Sequence, residues 1–294
     1  MSGRAVSRAP PMHISLIMAT RNSAAFLPAA LSSIAPALGS AANVEIVAAD
    51  AGSSDETLSI LANDPRARIV SYSDSGIYDG MNRAVAAASG AYIMVLNSDD
   101  LLEPGTVADA ISMLTRAPRF GWISGWARFQ RPIGPDVIRV NDVPLSSEGA
   151  IFGIPAMNAR VFRREMLERL GPIRTDLGLA ADREWMLRLA RSGERGIEYR
   201  APLYVYRMHE GSSTMAGDPP GRLRVYAAEH RLASAMPTAP GFDAATMRNF
   251  RRAGGLAALK LKVAGADRAA WPNMVDAAWG LWRSLTWRGR LAGY

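Results

Sequence analysis

Two adjacent carboxylates, Asp99 and Asp100, follow the apolar run Tyr-Ile-Met-Val-Leu at residues 92–96, separated from it only by Asn97 and Ser98. This run predicts a strand buried on both faces of a mostly parallel sheet, and open α/β sheets hold ligands beyond the carboxyl ends of their strands. Carboxylate oxygens are ligands that Mg²⁺ and Mn²⁺ favour, and such cations are commonly shared with substrate phosphates. The pair therefore predicts a cation bound together with a diphosphate. Alternatively, the two residues cap the next helix or form an Asx turn.

The elements that must position this pair alternate between strands and helices. Strand patterns occur at residues 13–19, 44–49, 67–72 and 92–96. Helical patterns between them occupy residues 24–38, a segment ending near residue 63, and residues 77–89. This alternation predicts right-handed βαβ units and an α/β fold with a parallel sheet.

The remaining elements are less regular. A helix is predicted after Pro104, a strand at 121–129, helices at 155–170 and 182–191, and a strand at 198–208. Residues 1–11 are polar, end in two prolines and are expected to form a flexible tail. Beyond residue 217 the composition predicts a helical C-terminal extension over 218–294, so the main domain covers 12–217.

Composition limits the class of protein. The chain has 294 residues, 49% of them hydrophobic, and no cysteine, which suits a folded protein in a reducing compartment. We find neither a signal-peptide pattern nor an apolar run long enough to span a membrane, so the cytoplasm is the expected location. The net charge of +7 is compatible with phosphorylated substrates or anionic lipid, but we find no nucleic-acid-binding motif.

Four ordered motifs resemble those of the family-2 glycosyltransferases, most closely the bacterial members that build surface polysaccharides. They are Ser15-Leu-Ile-Met-Ala-Thr-Arg-Asn22, Asp50-Ala-Gly-Ser-Ser-Asp-Glu-Thr57, Asp74-Ser-Gly-Ile-Tyr-Asp-Gly-Met-Asn82 and Asn97-Ser-Asp-Asp100. The resemblance implies a GT-A fold, a Rossmann-like mixed and mostly parallel sheet flanked by helices, as the catalytic domain. It also implies a metal-dependent, inverting transfer of a sugar from a nucleotide-diphosphate donor to an acceptor hydroxyl.

The resemblance also implies site residues. Those expected to bind the nucleotide sugar are Thr20, Asn22, Asp50, Asp74, Gly76, Asp79, Asn82, Ser98, Asp99 and Arg207. Asp100 is expected as the main ligand of Mn²⁺ or Mg²⁺, with Asp99 on the ribose or on metal-bound water. His209 is expected as a further metal ligand, since neutral imidazole can complete such a site, although a lone histidine more often has an ordinary surface role.

Asp182 is the expected catalytic base, because an alcohol becomes a good nucleophile only as its proton is removed. It lies in an acidic segment that resembles the corresponding segment of the family. The alternative is that Asp182 caps the helix that follows it. Asp176 and Glu184 are the other candidate bases in this part of the chain.

Two positions depart from the common family pattern, because Ala51 and Ala181 stand where many members have an acid. They leave open an inactive nucleotide-sugar-binding protein on the same fold. In the C-terminal extension, basic residues accompany tryptophans at 271, 279, 282 and 287. This combination predicts either peripheral contact with the anionic inner face of the cell membrane or packing against the catalytic domain or a partner. The expected acceptor is a saccharide or a lipid-linked saccharide.

Overall fold

The protein is described by a computed structural model over residues 12–39, 42–73, 75–141, 145–152 and 157–209. Residues 227, 228, 232, 252 and 255 are also described. The predicted N-terminal tail and most of the predicted C-terminal extension, including its four tryptophans, lie outside these residues.

A parallel half of the sheet contains the four strands predicted from the apolar runs. They are β1 (Met12–Thr20), β2 (Ala42–Asp50), β3 (Ala67–Ser71) and β4 (Tyr92–Val95). Their order is β3-β2-β1-β4, so that β1 pairs with both β2 and β4 in parallel. All carboxyl ends of these strands consequently lie at one edge, where the polar motifs follow them.

The other half of the sheet is mixed. It contains β5 (Leu101–Leu102), β6 (Trp122–Gln130), β7 (Val137–Arg139), β8 (Arg160–Arg163) and β9 (Gly196–Arg207). The described strands form one nine-stranded sheet in the order β3-β2-β1-β4-β8-β6-β9-β5, with β7 paired to β6. Strand β8 is antiparallel to β4 and β6, whereas β6 and β9 are parallel. The expected mixed α/β sheet is confirmed.

Strand β8 corrects the prediction of a continuous helix over 155–170. Its Val161 pairs with Met94 on one side and with Ile123 on the other, so β8 occupies the centre of the sheet. Helix begins only at Arg164. A short apolar run does not by itself distinguish a buried strand from a helix, and here pairing on both sides selects the strand.

Helices cover both faces of the sheet. They are α1 (Leu27–Leu38), α2 (Thr57–Ala62), α3 (Ile77–Ala87), α4 (Val107–Arg116), α5 (Ser147–Phe152), α6 (Arg164–Leu170) and α7 (Ala181–Arg191). Helices α1, α2 and α4 bury apolar side chains on one face, and α3, α5, α6 and α7 do so on the other. Successive side chains of β1 point to opposite faces of the sheet. Leu16 lies in the core with α1, α2 and α4, and Ile17 lies in the core with α3, α5, α6 and α7.

In the part of the chain that the structure describes, no helix has the length and apolar character needed to cross a bilayer. Ala228 and Leu232, which lie in the predicted C-terminal extension, are buried in the same core as Trp185 of α7. At these two positions, therefore, the predicted extension packs against the main domain.

Candidate active site

The ends of β1 and β2 are joined through Asp50. Thr20 and Asp50 are direct partners in the parallel register, and Asp50 is only 1% exposed. One carboxylate oxygen of Asp50 accepts the N–H groups of Gly52 and Ser53 at 3.0 and 2.8 Å. The other accepts the hydroxyls of Thr20 and Ser53 at 2.9 and 2.6 Å. Because a carboxylate has about four acceptor positions, Asp50 here acts mainly by fixing the loop that follows β2.

The loop after β1 is clamped to the loop after β2. Asn22 has a positive φ of 48°, its side-chain oxygen accepts the N–H of Ser54 at 2.9 Å, and its own N–H donates to the Ser53 hydroxyl at 2.9 Å. The N–H of Ala24 donates to the Asp55 carboxylate at 3.0 Å. Thr20 and Asn22, both predicted to approach the nucleoside, thus belong to one fixed double loop at the sheet edge.

The third motif lies at the start of α3. Asp74 is outside the described residues. Gly76 precedes the helix with a φ of 101°, a conformation that side chains other than glycine rarely adopt. The Asp79 carboxylate accepts the Arg83 guanidinium at 2.9 Å and the Ser75 hydroxyl at 2.8 Å, and these two contacts lower its pKa. Asp79 therefore remains ionised near neutral pH.

Asn82 connects α3 to the chain segment before α7. Its side-chain amide donates to the Ile173 carbonyl at 2.7 Å and accepts the Ile173 N–H at 2.9 Å. The Arg188 guanidinium of α7 holds the same segment by donating to the carbonyls of Leu170 and Pro172, both at 2.6 Å. In this structure Asn82 therefore fixes the chain segment before α7 through its backbone.

The two carboxylates of the fourth motif have different environments. Asp100 is 1% exposed, and its oxygens accept the N–H of Arg207 at 2.8 Å, the hydroxyl of Tyr204 at 2.8 Å and the amide of Asn97 at 3.1 Å. Burial, together with the charge of Asp99, outweighs these donors and raises the pKa of Asp100 to about 7. Through its hydrogen bonds to Tyr204 and Arg207, Asp100 anchors β9 to the end of β4.

Tyr204, on β9, is a site residue that the sequence analysis missed. Besides donating to Asp100, its hydroxyl accepts the backbone N–H of Asn97 and the side-chain amide of Asn158, both at 3.1 Å. Full burial and the neighbouring Asp100 raise the pKa of this phenol well above its usual range. The only signal in the sequence was a tyrosine in an apolar strand, which is more typical of a core residue.

Asp99 is partly exposed to solvent and contacts His209. The Asp99 side chain is 33% exposed and that of His209 is 20% exposed, with 3.1 Å between an Asp99 carboxylate oxygen and His209 Nε2. The His209 ring stacks on Phe26 with a centroid distance of 4.2 Å. Two residues 110 positions apart in the sequence are thereby brought together at the sheet edge.

Hydrogen bonds of Arg207 and Ser98 hold the segments next to Asp99 and His209 in place. The Arg207 guanidinium donates to the Asp99 carbonyl and, at 3.1 Å, to the Phe26 carbonyl, and it lies 5.3 Å from the centre of the Phe26 ring. Burial lowers the pKa of this arginine relative to its ordinary value. The Ser98 hydroxyl donates to the Ser23 hydroxyl at 2.8 Å, which ties β4 to the loop after β1.

Neither Asp99 nor Asp100 caps the following helix, because α4 begins at Val107 with Thr106 at its N-cap position. Within the described ranges, no three His, Asp or Glu side chains cluster as a closed metal site. Asp99 and His209 provide two facing donors, a carboxylate oxygen and an imidazole nitrogen. Such a pair suits a cation whose remaining ligands are substrate phosphate and water.

Asp182 lies in the first turn of α7 and is not its cap, since Ala180 occupies the N-cap position. The Asp182 carboxylate accepts the N–H of Arg183 at 2.6 Å. The other candidate bases form ion pairs: Asp176 with Arg174 at 3.0 Å, and Glu184 with an arginine one turn later at 2.9 Å. Both of these carboxylates are thus already paired with an arginine.

Comparison with known proteins agrees with the motifs. Residues 15–170 match the family described as "Glycosyl transferase family 2". A PGL/p-HBAD biosynthesis glycosyltransferase of Mycobacterium bovis is 42% identical over 106 residues, which cover 34% of this chain. The match spans 40% of the length of that curated relative.

Solved structures share the fold. S. aureus TarS 1–349 in complex with UDP superimposes with a TM-score of 0.62 at 17% identity, covering 82% of this chain and 70% of that one. The mannosyltransferase PcManGT from Pyrobaculum calidifontis, in complex with GDP-Man and Mn²⁺, gives 0.60 at 20% identity, covering 92% and 80%. The expected GT-A fold is therefore confirmed. By its match over more than half of its length, the chain belongs to glycosyl transferase family 2.

Proposed function

We propose that this protein transfers a sugar from a nucleotide-diphosphate donor to an acceptor hydroxyl, with inversion at the anomeric carbon. The main support is the contact between Asp99 and His209 at the sheet edge, beside the clamped loops that follow β1 and β2. Family membership supports the transfer reaction. The UDP bound to TarS and the GDP-Man bound to PcManGT support a nucleotide-sugar donor.

The proposed cofactor is Mn²⁺ or Mg²⁺, held by Asp99 and His209. Asp99 is favoured over Asp100 as the direct ligand because Asp100 is buried and its oxygens accept three protein donors. Imidazole nitrogen is a softer donor than the oxygen that Mg²⁺ prefers, which favours Mn²⁺ of the two ions. When bound, the cation would neutralise charge on the departing nucleoside diphosphate.

The protein groups around this pair would orient the donor. The double loop held by Asp50 and Asn22 offers a fixed surface for the nucleoside, and Arg207 adds positive charge next to the expected position of the diphosphate. The contacts of Arg207 with the Asp99 and Phe26 carbonyls keep the guanidinium in place. Preorganised charge of this kind lowers a barrier because it needs no rearrangement during the reaction.

Asp182 is proposed as the base that accepts the proton of the acceptor hydroxyl. Its place in the first turn of α7 favours the ionised carboxylate, since a helix N-terminus stabilises negative charge. Direct displacement with a single base inverts the anomeric centre. The wall formed by α3 and the segment held by Asn82 would shape the acceptor side of the site.

The proposed acceptor is a saccharide or a lipid-linked saccharide, in polysaccharide or glycolipid biosynthesis. We further propose a cytoplasmic protein that contacts the inner face of the cell membrane peripherally through residues 218–294. The net charge of +7 and the basic, tryptophan-containing composition of that region support this contact. Flotation of the full chain with anionic liposomes, compared with a chain ending at residue 244, tests the proposal; equal flotation would refute it.

The transfer proposal is tested by release of free nucleoside diphosphate from UDP-, GDP- and dTDP-sugars with short saccharide and glycolipid acceptors. We expect turnover of one donor class with Mn²⁺ and its loss with EDTA. Asp182→Asn should abolish turnover while calorimetry still detects nucleotide binding. Asp109→Asn, an exposed substitution on α4, is the matched control and should retain turnover.

Two results would contradict the proposal. Binding of a sugar nucleotide without turnover of any donor would identify an inactive binding protein on the same fold. No binding of any sugar nucleotide in the presence of Mn²⁺ would exclude both the enzyme and the inactive binding protein.

A further inference from the structure

Phe26 is the N-cap residue of α1, at the end of the loop that follows β1. Its side chain is partly exposed, and it belongs to neither of the two hydrophobic cores that the described residues form. The ring instead stacks on the imidazole of His209 and lies 5.3 Å from the guanidinium of Arg207. Core packing therefore does not account for the position of this ring.

The main chain that carries the Phe26 ring is fixed from two sides. Its N–H donates to the Ser23 carbonyl at 3.0 Å, and the Ser23 N–H donates to the Thr57 hydroxyl at 2.7 Å. The Phe26 carbonyl accepts the N–H of Ala30 at 3.3 Å and the guanidinium of Arg207 at 3.1 Å. These contacts make Phe26 a firmly held support at the edge of the sheet.

His209 lies just beyond the end of β9. The last residue pair between β6 and β9 joins Gln130 to Arg207, and the Met208 N–H donates to the Gln130 carbonyl at 2.9 Å. His209 follows this contact, and its Nε2 lies 3.1 Å from a carboxylate oxygen of Asp99. Sheet pairing therefore restrains the backbone as far as Met208, whereas the direction of the imidazole depends on contacts of the His209 side chain.

The stack with Phe26 fixes the plane of this imidazole. The two ring centroids are 4.2 Å apart, and the ring planes are inclined by 26°. A metal ion binds an imidazole nitrogen in the plane of the ring, so the orientation of that plane decides how well Nε2 can act as a ligand beside Asp99. Imidazole bound to a cation also carries part of its charge, and the face of a phenyl ring attracts positive charge. The contact therefore favours the metal-bound form of His209.

We propose that Phe26 is a positioning residue that holds the His209 imidazole for the cation shared with Asp99. This inference rests on the proposed function, in which Asp99 and His209 bind Mn²⁺ or Mg²⁺. Phe26 then links the metal site to the loop that follows β1, on which the nucleoside is expected to lie. Loss of the ring should weaken cation binding while the backbone contacts of residue 26 remain.

The test is Phe26→Leu in the full chain, with Mn²⁺ alone as the probe. The chain has three histidines, so their ring protons can be resolved by NMR, and His209→Ala assigns those of residue 209. Paramagnetic Mn²⁺ broadens the signals of the groups that bind it. We expect Phe26→Leu to need about three- to tenfold more Mn²⁺ than wild type for equal broadening of the His209 signals.

Two variants control for general effects of the substitution. Phe26→Tyr keeps an aromatic ring and should stay within about twofold of wild type in its Mn²⁺ requirement. Phe120→Leu is the matched control, just before β6 at the opposite edge of the sheet. The Phe120 ring lies 5.0 Å from the guanidinium of Arg195, and its carbonyl accepts the guanidinium of Arg163 at 2.9 Å. This variant should also stay within about twofold of wild type.

A double-mutant comparison separates positioning from general damage. The dissociation constant of Mn²⁺, measured from the EPR signal of the free ion, should rise in Phe26→Leu by the same factor. In the His209→Ala background it should change by less than about twofold, because the positioned group is already absent. An unchanged Mn²⁺ requirement in Phe26→Leu, or its full effect without His209, would overturn the inference, with the proposed metal site intact if Mn²⁺ broadens the wild-type His209 signals. No broadening of these signals in wild type would refute the proposed metal site and this inference with it.

Discussion

Glu45, near the start of β2 and away from the site, provides a test of stability that is independent of catalysis. Its carboxylate accepts hydrogen bonds from the hydroxyl of Ser15, the hydroxyl and N–H of Ser89, and the N–H of Gly90. Burial opposes ionisation of Glu45, but these donors outweigh it and lower the pKa from 4.5 to about 2. Ionised Glu45 therefore joins β1, β2 and the turn before β4.

The size of the contribution of Glu45 to stability, and the direction in which it changes with pH, follow from this lowered pKa. A carboxyl group with a lowered pKa in the folded state stabilises that state above its unfolded pKa, and loses this contribution as the pH falls toward the folded value. The Glu45 side chain is 19% exposed, so solvent screening is limited. Because a shift of one pKa unit corresponds to about 1.36 kcal/mol, ionised Glu45 contributes roughly 3 kcal/mol to the free energy of unfolding at pH 7. About 1.4 kcal/mol of this is lost by pH 3.5, and most of the remainder between pH 3.5 and 2.

Urea denaturation of Glu45→Gln and wild type at pH 7 and pH 3.5 measures the difference. The variant should be less stable by about 2 to 3 kcal/mol at pH 7, and the deficit should narrow by about 1.4 kcal/mol at pH 3.5. Glu168→Gln, an exposed substitution on α6, is the control and should change stability by less than about 0.5 kcal/mol. A deficit of the same size at both pH values would refute the reasoning.

Three further substitutions test the site. Tyr204→Phe removes the donor to buried Asp100 and two acceptor contacts, and should lower the free energy of unfolding by about 1–3 kcal/mol in urea denaturation. Asn82→Ala leaves the backbone of Ile173 without its side-chain partners, and should cost about 2 kcal/mol in the same assay. His209→Ala should raise the Mn²⁺ concentration for half-maximal transfer at least tenfold, since even outer-shell partners of metal ligands are worth about that much; an unchanged requirement would exclude it as a ligand.

Much of the fold could be predicted from the sequence because its signals are local. The apolar runs and the turn residues after them locate β1 to β4, and all four lie in the predicted parallel half. The motifs also place Thr20, Asp50 and Asp99 at one sheet edge, because the carboxyl ends of parallel strands share an edge. Strand β8, in contrast, has a short apolar centre whose type is decided by its neighbours β4 and β6.

What each site residue contacts was decided only by the tertiary structure. Asp99 and Asp100 have the same side chain and adjacent positions, yet Asp100 is buried beneath Tyr204 while Asp99 faces His209. Both partners come from β9 or from the residues just after it, more than 100 positions later in the chain. Residue type and spacing therefore determined which groups reach the edge. Burial and hydrogen bonding to distant segments decided their roles, because these depend on packing that no local pattern records.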